Sequence, residues 1–379
     1  MNPKLGVRAF FGIALALFMT MPAINLSEPL MRERALKMIK EWDGSGLVKL
    51  AFQGDKLESW LSAFLWQTGI SINPDQVLIG YDGWLHLGDE NSRTISVTRG
   101  AATKWREKRS KEIARSLLNW DRWLQAQGVQ SMTFMLSPDK ATVYRETLPH
   151  WVRTSTGDTI ASVGRDASPL VLDLRHALQA IASTSEHQLY YKTDTHWNSL
   201  GAAHAFALLG ERLQGMDPAL HWPIEAPIVV ENKRNISGGD LSNLLRISNE
   251  IKDTAIRVRI EHSGRFTTNV TDFETKEVLL KNTLAAIDFP HKTVHTHTPQ
   301  ALNSRRVLWM RDSFGIALTP MMAATFEETV QVHWRRGMTE NARIFQQLVK
   351  EWKPDLVVFT VVERDVLATQ LLAAPRAID

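Results

Sequence analysis

The chain has 379 residues, of which 44% are hydrophobic and 22% are charged, a composition unlike that of a disordered protein. Its net charge of +3 gives no electrostatic basis for nucleic-acid binding. The absence of cysteine excludes disulfides, thiolate metal sites and a cysteine nucleophile.

The first residues are typical of an export signal. Lys4 and Arg8 precede the apolar run 9–19. This run has the length of a signal-peptide core and is short for a membrane span. We therefore expect residues 1–26 to be a signal peptide or an uncleaved signal anchor. The protein is then periplasmic, and held at the inner membrane if the segment is retained. A buried N-terminal helix is the alternative.

Two segments follow the leader. Residues 27–74 form the first, in which the spacing of apolar residues over 28–70 predicts helices. The second, 75–379, begins with a short strand at 77–79 and a turn at Tyr81–Gly83. A long helix is then predicted to end near Gly128, with one apolar face formed by Ile113, Leu117, Trp120 and Leu124.

Strands and helices alternate in this second segment. Continuous apolar strands are predicted at 129–136, 305–310 and 355–362, and helices at 313–326 and 339–352. This alternation indicates an α/β fold in which a mostly parallel sheet is covered on both faces. Between them, residues 225–300 are predicted to form a β-rich insertion, because Ile256, Val258 and Ile260 alternate with charged residues.

Ser313 stands where a buried strand gives way to a helix. Functional groups in open α/β sheets collect beyond the carboxyl ends of strands. A serine there exposes its hydroxyl beside free backbone N–H groups, the donors that an oxyanion requires. The alternative is that Asp312 or Ser313 is an ordinary helix N-cap.

Asp194 and His196 precede another predicted helix, for which Asn198 or Ser199 is the cap. One residue separates them, so in extended chain both side chains point to the same side and the carboxylate can orient the imidazole. A structural histidine is the alternative. Together with Ser313, however, the pair supplies the parts of a Ser-His-Asp acyl-transfer site.

Six motifs follow one another along the chain: VLIGYDGWLHL, SPDKATVYRETLP, YYKTDTHWNSLGA, SGGDLSNLL, RDSFGIAL-x-P and KPDLVVFTVVERDVL. Through them the sequence resembles, over roughly residues 75–370, the SGNH-hydrolase-like proteins of the alginate O-acetyltransferase type (AlgJ/AlgX-like). One feature departs from the pattern: Arg311 occupies the position where a Gly-Asp-Ser motif has glycine.

The resemblance implies a three-layer SGNH-hydrolase-like domain with Asp194, His196 and Ser313 in the triad positions. Because the serine comes last in the chain, the motif order is permuted relative to simple SGNH esterases. The implied activity is O-acetylation of a secreted or cell-surface, alginate-like polysaccharide through acetyl-serine. The implied partners are a membrane-bound O-acyltransferase that supplies acetyl groups and other exopolysaccharide machinery. We expect neither a cofactor nor a metal.

Substrate contacts are predicted from residues near these motifs. Trp197 and Tyr191, and less specifically Trp84, are candidate aromatic platforms for a sugar. Residues that follow strands and could line the same cleft are Lys140, Tyr144, Glu363 and Arg364. An ion pair that fixes a loop explains Glu363 and Arg364 equally well.

The sequence is compatible with three other functions. His291, His295 and His297 invite a metal site, but an exposed strand is the simpler interpretation. An acetylesterase would use the same three residues, since both reactions pass through acetyl-serine. A polysaccharide-binding component without turnover is the third possibility.

Overall fold

The computed structural model describes residues 20–375 except for 21, 24, 42, 52–54, 100–102, 154–160, 169, 225–226 and 283. The predicted leader core at 9–19 lies outside these described residues. Within them, no helix has both the length and the apolar character that a bilayer crossing requires.

An eight-stranded sheet organises the chain. Its strands are β3 (Ser131–Ser137), β4 (Val171–Asp173), β7 (Asn269–Asp272), β8 (Val278–Leu280), β9 (Val294–His297), β10 (Asn303–Arg311), β11 (Phe326–His333) and β12 (Leu356–Val362). The five parallel strands lie in the order β4-β3-β12-β10-β11, and three antiparallel strands, β9-β7-β8, extend the sheet beyond β11. Two separate antiparallel pairs are formed by β1 (Val77–Ile79) with β2 (Leu85–Leu87), and by β5 (Val230–Ser237) with β6 (Lys252–Val258).

Helices cover both faces of the sheet. The described helices of the N-terminal segment are α1 (Pro29–Lys40), α2 (Gly44–Ala51) and α3 (Asp55–Gln67). Those of the larger segment are α4 (Thr94–Arg99), α5 (Lys104–Ala126), α6 (Lys140–Val143), α7 (His150–Arg153), α8 (Ala161–Asp166), α9 (Arg175–Thr184), α10 (Ser199–Met216), α11 (Asp240–Leu244), α12 (Thr319–Thr325) and α13 (Trp334–Trp352).

The central strands are apolar on both sides, which is why each face of the sheet has its own core. On β10, Leu308 and Met310 pack with α5, α8 and α13, whereas Val307 and Trp309 pack with α9, α10 and α12. Burial on both faces demands a continuous apolar run rather than alternation. The prediction of a parallel sheet between two helical layers is confirmed.

The structure differs from the sequence prediction around Ser313. The predicted helix 313–326 is a 3-10 helix over Ser313–Leu318, followed by α12. Strand β11 was not predicted, because Glu327 and Glu328 interrupt its apolar pattern. The predicted helix 339–352 belongs to α13, which begins at Trp334 and has non-helical backbone at 339–342.

The predicted β-rich segment 225–300 divides into two parts. Its first part is the β5–β6 pair, in which Ile256 and Val258 face the core as their alternation predicted. Its second part, β7 to β9, joins the main sheet through antiparallel pairing with β11.

Replacing Phe359 with alanine is expected to lower the free energy of unfolding by about 3 to 5 kcal/mol, because it opens a cavity in a closed core. Phe359 is 1% exposed and its ring lies 5.4 Å from that of Phe345. Urea denaturation measures the change. The control is Phe64→Ala on α3, where the ring is 64% exposed, and it should cost less than about 1 kcal/mol. Equal losses in the two variants would contradict the assignment of Phe359 to the core.

Candidate active site

Ser313 lies at the carboxyl edge of the sheet, directly after β10. Asp312 is the N-cap of the 3-10 helix that Ser313 begins, and its Oδ1 accepts from the N–H of Phe314 at 2.9 Å. The second oxygen of Asp312 accepts from the N–H of Val362 at the end of β12, at 2.7 Å. Asp312 is therefore an ordinary N-cap, as the alternative interpretation predicted. The hydroxyl of Ser313 takes no part in this capping.

Asp194 and His196 lie in the loop that leads into α10. Asn198 caps this helix by accepting from the N–H groups of Leu200 and Gly201. The N–H of His196 donates to Asp194 Oδ1 at 2.9 Å, so the backbone between the two residues curls and both side chains face the same side.

Three side chains form a continuous row of hydrogen bonds. Asp194 Oδ1 lies 2.7 Å from His196 Nδ1, and His196 Nε2 lies 2.8 Å from Ser313 Oγ. The structure thus brings the acid and the imidazole to the hydroxyl of Ser313, which lies 117 residues after His196 in the chain. Side chains of Asp194 and His196 are 22% and 28% exposed, so the row is sheltered yet open to a substrate.

The charges of the row suit a base that must gain a proton. Burial alone would raise the pKa of Asp194, but the hydrogen bond and charge interaction with His196 bring it down to about 2. Asp194 is consequently an anion at neutral pH beside the imidazole. Burial raises the pKa of Asp312 to about 6, which separates this structural carboxyl from the one that serves the histidine.

Trp197 does not have the predicted role as a sugar platform. Its ring is 1% exposed and packs 5.0 Å from the ring of Phe314. The indole N–H donates to the carbonyl of Phe314 at 3.0 Å. Trp197 therefore joins the histidine loop to the serine loop, and a fully enclosed ring has no face to offer a ligand. Trp84 is likewise enclosed, at 4% exposure.

The predicted substrate contacts of Lys140 and Tyr144 are also wrong, because both side chains are buried. The ammonium of Lys140 donates to the carbonyls of Tyr191, Lys192 and Asp194 at 2.6 to 2.9 Å. Burial lowers the pKa of Lys140 to about 8. The hydroxyl of Tyr144 accepts from the N–H of Leu189 at 2.7 Å. The hydrogen bonds of Lys140 and Tyr144 therefore hold the segment 189–194, which carries Asp194.

Arg364 and Glu363 anchor the end of β12. Arg364 pairs with Asp139 through both its guanidinium and its backbone N–H, and its side chain is 12% exposed. Glu363 Oε2 accepts from the N–H of Asp139 and from Thr142 Oγ1. The loop-fixing explanation fits these two residues better than the cleft-lining one, although Arg364 also lies 5.5 Å from the Phe314 ring.

Arg311 replaces the glycine of a Gly-Asp-Ser motif without disturbing the row. Its guanidinium turns away to bond Gln331 Oε1 and the carbonyl of Ile287. Gly315 makes room for it, since a Cβ at Gly315 would lie 2.5 Å from the Arg311 side chain. The arginine thus ties β10 to its neighbours.

A groove lies between the start of α10 and the β5–β6 pair, and its lining does not include Asp194, His196 or Ser313. One part, of about 390 Å³, is lined by Tyr191, Ser199, Arg234 and Arg257. A contiguous part of about 480 Å³ shares Ser199 and Arg257 and reaches Ala317, one turn beyond Ser313. Of the predicted substrate residues, Tyr191 is the one that lines this groove. Its lining arginines are on β5 and β6, which sequence analysis did not connect with the site.

Two groups of residues merit comparison with metal sites. Ligand atoms of Asp194, His196 and Asp240 lie within 4.8 Å of one another, close enough to share a cation, but His196 Nδ1 is already bonded to Asp194. His295 bonds Glu328 at 2.8 Å, and His297 lies 3.7 Å from Glu327. These carboxylates come from β11, the strand that the sequence did not reveal.

Asp240 was not predicted, although it stands within the motif SGGDLSNLL. Its carboxylate binds Thr195, the residue between Asp194 and His196. The signal in the sequence is a pair of glycines followed by an acid at the start of a helix. It was missed because Thr195, the residue that Asp240 binds, is 45 residues away.

The chain matches a known protein family over much of its length. Residues 77–287, more than half of the chain, match the family model described as SGNH hydrolase-like domain, acetyltransferase AlgX. The match includes Asp194, His196 and Asp240 and ends before Ser313. No curated protein matches the chain.

Solved structures with the same fold include PatB1 from Bacillus cereus, with a TM-score of 0.58 and 15% identity over 78% of this chain and 98% of that one. A DHHW family protein from Eubacterium siraeum has a TM-score of 0.56 and 17% identity over 79% and 95% of the two chains. The O-acetyltransferase domain of Pseudomonas putida AlgJ gives a TM-score of 0.47 and 19% identity over 77% and 92%.

Glu363→Gln is expected to flatten the pH dependence of stability. Burial, with the charge of Asp139, raises the pKa of Glu363 to about 8 from its ordinary 4.5. The folded protein then binds more protons than the unfolded chain in this window, so its free energy of unfolding falls as pH rises from 4.5 to 8. Urea denaturation across that range should show a smaller fall in the variant. The exposed Glu211→Gln is the control, and a steeper fall in Glu363→Gln would contradict the expectation.

Proposed function

Since the chain belongs to the SGNH hydrolase-like acetyltransferase family of AlgX, we propose that it moves acetyl groups onto hydroxyls of a secreted or cell-surface polysaccharide through an acetyl-Ser313 intermediate. The observation that carries the proposal is the unbroken row from Asp194 through His196 to Ser313, with distances of 2.7 and 2.8 Å. Such a row is what activation of a serine hydroxyl requires.

In the first half of the reaction, His196 Nε2 takes the Ser313 proton as Oγ attacks the acetyl carbonyl of the donor. Asp194 holds the ring by its Nδ1–H and stabilises the imidazolium that forms. The bond between the acetyl carbon and the donor oxygen then breaks, and the proton on Nε2 passes to that oxygen. Acetyl-Ser313 remains and His196 is neutral again.

In the second half, a sugar hydroxyl takes the place of the departed donor. His196 Nε2 accepts its proton while its oxygen attacks the acetyl carbon, and the Ser313 Oγ leaves with that proton. Productive transfer requires that the bound sugar hydroxyl reach the acetyl carbon before water does. A groove that orients the acceptor next to Ser313 meets this requirement.

The backbone N–H of Ser313 is the first candidate for the oxyanion donor. Ser313 opens a 3-10 helix, and N–H groups in the first turn of a helix have no acceptor within that helix. The N–H of Phe314 is taken by Asp312. Negative charge that develops on the acetyl oxygen would therefore be stabilised from the serine's own peptide.

The groove near the row supports an acceptor that carries negative charge. Arg234 is exposed on β5, and Arg257 is exposed on β6 but lies 3.3 Å from Glu231, so the proposal relies chiefly on Arg234. Tyr191 lines the same part of the groove, and its backbone N–H donates to the His196 carbonyl at 3.3 Å. Guanidinium groups bind sugar carboxylates in the planar, two-bond manner that lysine does not match. We infer an acidic, alginate-like polymer, with Tyr191 against a sugar ring.

The remaining parts of the proposal concern organisation and location. Residues 1–26 are proposed as a signal peptide or anchor, 27–74 as a helical segment, and 75–379 as the acetyltransferase domain. The protein then works in the periplasm, beside other exopolysaccharide machinery. A membrane-bound O-acyltransferase is proposed to supply the acetyl groups, as the resemblance to AlgJ/AlgX-like proteins implies.

Ser313→Ala is expected to abolish acetyl transfer, by a factor of at least about 10³, while the protein stays folded. Wild-type protein given a chromogenic acetyl ester should gain the mass of one acetyl group on Ser313, and this acetyl group should then move to added uronate oligosaccharide. Intact mass spectrometry follows both steps. Ser168→Ala, on the exposed surface after α8, is the matched control.

The same measurement separates the competing functions. Release of the acetyl group only as acetate would favour an esterase. A wild-type protein that binds oligosaccharide but never acquires the acetyl mass would favour a binding component and contradict the proposed reaction.

Arg234→Gln is expected to raise KM for an anionic oligosaccharide by about fivefold, because an exposed charge pair contributes up to about 1 kcal/mol. Competition with NaCl should weaken acceptor binding in the wild type and have less effect in the variant. Steady-state transfer with uronate and with neutral glucan oligosaccharides measures both. Arg343→Gln, on α13, is the control, and equal KM values for wild type and Arg234→Gln would contradict the anionic acceptor.

A further inference from the structure

The short helix α11 places its first residue, Asp240, against the loop that holds the candidate acid and base. Asp240 Oδ1 accepts from the backbone N–H of Thr195 at 2.7 Å, and Oδ2 accepts from Thr195 Oγ1 at 2.5 Å. A carboxylate that receives both groups of one residue fixes its backbone and its side chain together. Thr195 is thereby held, and with it the path of the chain from Asp194 to His196.

Asp240 also contacts the acid through its own backbone. Its N–H donates to Asp194 Oδ2 at 3.0 Å, while the other oxygen of Asp194 receives His196. The approach is so close that a Cβ on Gly239 would lie 2.4 Å from the Cβ of Asp194. Glycine at this position is what allows α11 to begin against the acid. Each oxygen of Asp194 thus has a hydrogen-bond partner that fixes its position: the imidazole of His196 for Oδ1, and the first N–H of α11 for Oδ2.

A second negative charge faces the imidazole as a result. Asp240 Oδ2 lies 3.7 Å from His196 Nδ1, and Thr195 Oγ1 lies 3.2 Å from the same nitrogen. The Asp240 side chain is 41% exposed, so water screens part of its effect. It still favours the protonated ring that must form when Ser313 gives up its proton.

Two cations reach this region from other elements, and each contacts a neighbour of the imidazole. The ammonium of Lys140 donates to the carbonyl of Asp194 at 2.6 Å. The guanidinium of Arg364 lies 5.5 Å from the centre of the Phe314 ring, which is 5.2 Å from that of His196. The Nδ1 side of the imidazole is therefore the acidic side, shared by Asp194 and Asp240.

We propose that Asp240 is a positioning residue for acetyl transfer, which fixes Thr195 and Asp194 so that His196 meets Ser313 and adds a second negative charge facing the imidazole. The inference rests on the proposed function for its kinetic consequence. The contacts of Asp240 are with Thr195, Asp194 and His196, so it acts on Ser313 through these neighbours.

Asp240→Asn tests the charge, because asparagine keeps the shape and one acceptor but not the anion. We expect kcat for a chromogenic acetyl ester to fall about tenfold with KM unchanged. We also expect the acid limb of the pH–rate profile to move to lower pH, because the imidazolium loses a nearby negative charge. The control Asp166→Asn, on the exposed side of α8, should change neither quantity.

Thr195→Val tests the positioning, since it keeps the charge but loses the hydroxyl that Asp240 holds. Its kcat should fall about threefold without a shift in the pH profile, and Thr195→Ser should restore the wild-type rate. Wild-type kcat and pH profile in a folded Asp240→Asn protein would overturn the proposal. So would a loss of kcat accompanied by an equal fall in thermal stability and no change in the pH profile, which is the behaviour of a purely structural residue.

One further measurement does not depend on turnover. The Nδ1 proton of His196, in its hydrogen bond with Asp194, should give a downfield resonance in the ¹H NMR spectrum that Asp194→Asn abolishes. Asp240→Asn and Thr195→Val should each shift or broaden it, and an unchanged resonance in both would overturn the positioning role. If the wild type forms no acetyl-Ser313 while these resonance changes occur, the proposed function fails and the positioning role stands.

Discussion

The hydrogen bond from the Trp197 indole to the Phe314 carbonyl is the contact on which the candidate site depends. It joins two loops 117 residues apart, in a place where neither group can reach water. A buried N–H or carbonyl without its partner is costly, so the two loops are stable together rather than apart. His196 and Ser313 are the immediate neighbours of this pair, and their 2.8 Å separation follows from it.

Buried ionisable side chains extend this support to the strand ends. Lys140 donates hydrogen bonds to three carbonyls of the loop that carries Asp194. Glu363 and Arg364, at the end of β12, both form hydrogen bonds with Asp139. Networks of this kind rigidify a site only while every member is satisfied, since each ion is costly to leave unpaired. The side chains that sequence analysis assigned to a ligand therefore serve mainly to fix the loops that a ligand would meet.

Much of the fold could be predicted from sequence, because apolar runs such as 355–362 report burial on both faces directly. Strand β11 could not, since Glu327 and Glu328 at its start hide the run. In the site, the sequence brought Asp194, His196 and Ser313 to attention by residue type and by their place at element ends. Lys140, Tyr144 and Trp197 were misjudged because burial depends on what the fold packs above a residue. Asp240 was missed because its partner is distant in the chain.

The strand order has a consequence for how the chain folds. β12 lies between β3 and β10, yet among the described strands it comes last in the chain. Until 356–362 is available, the first strand of the sheet has no partner on that side, and the serine loop has no Val362 N–H to hold Asp312. Folding is thus governed by contacts of long sequence separation, which are slow to form. The hydroxyl and the imidazole therefore stay apart until that late segment has docked between β3 and β10.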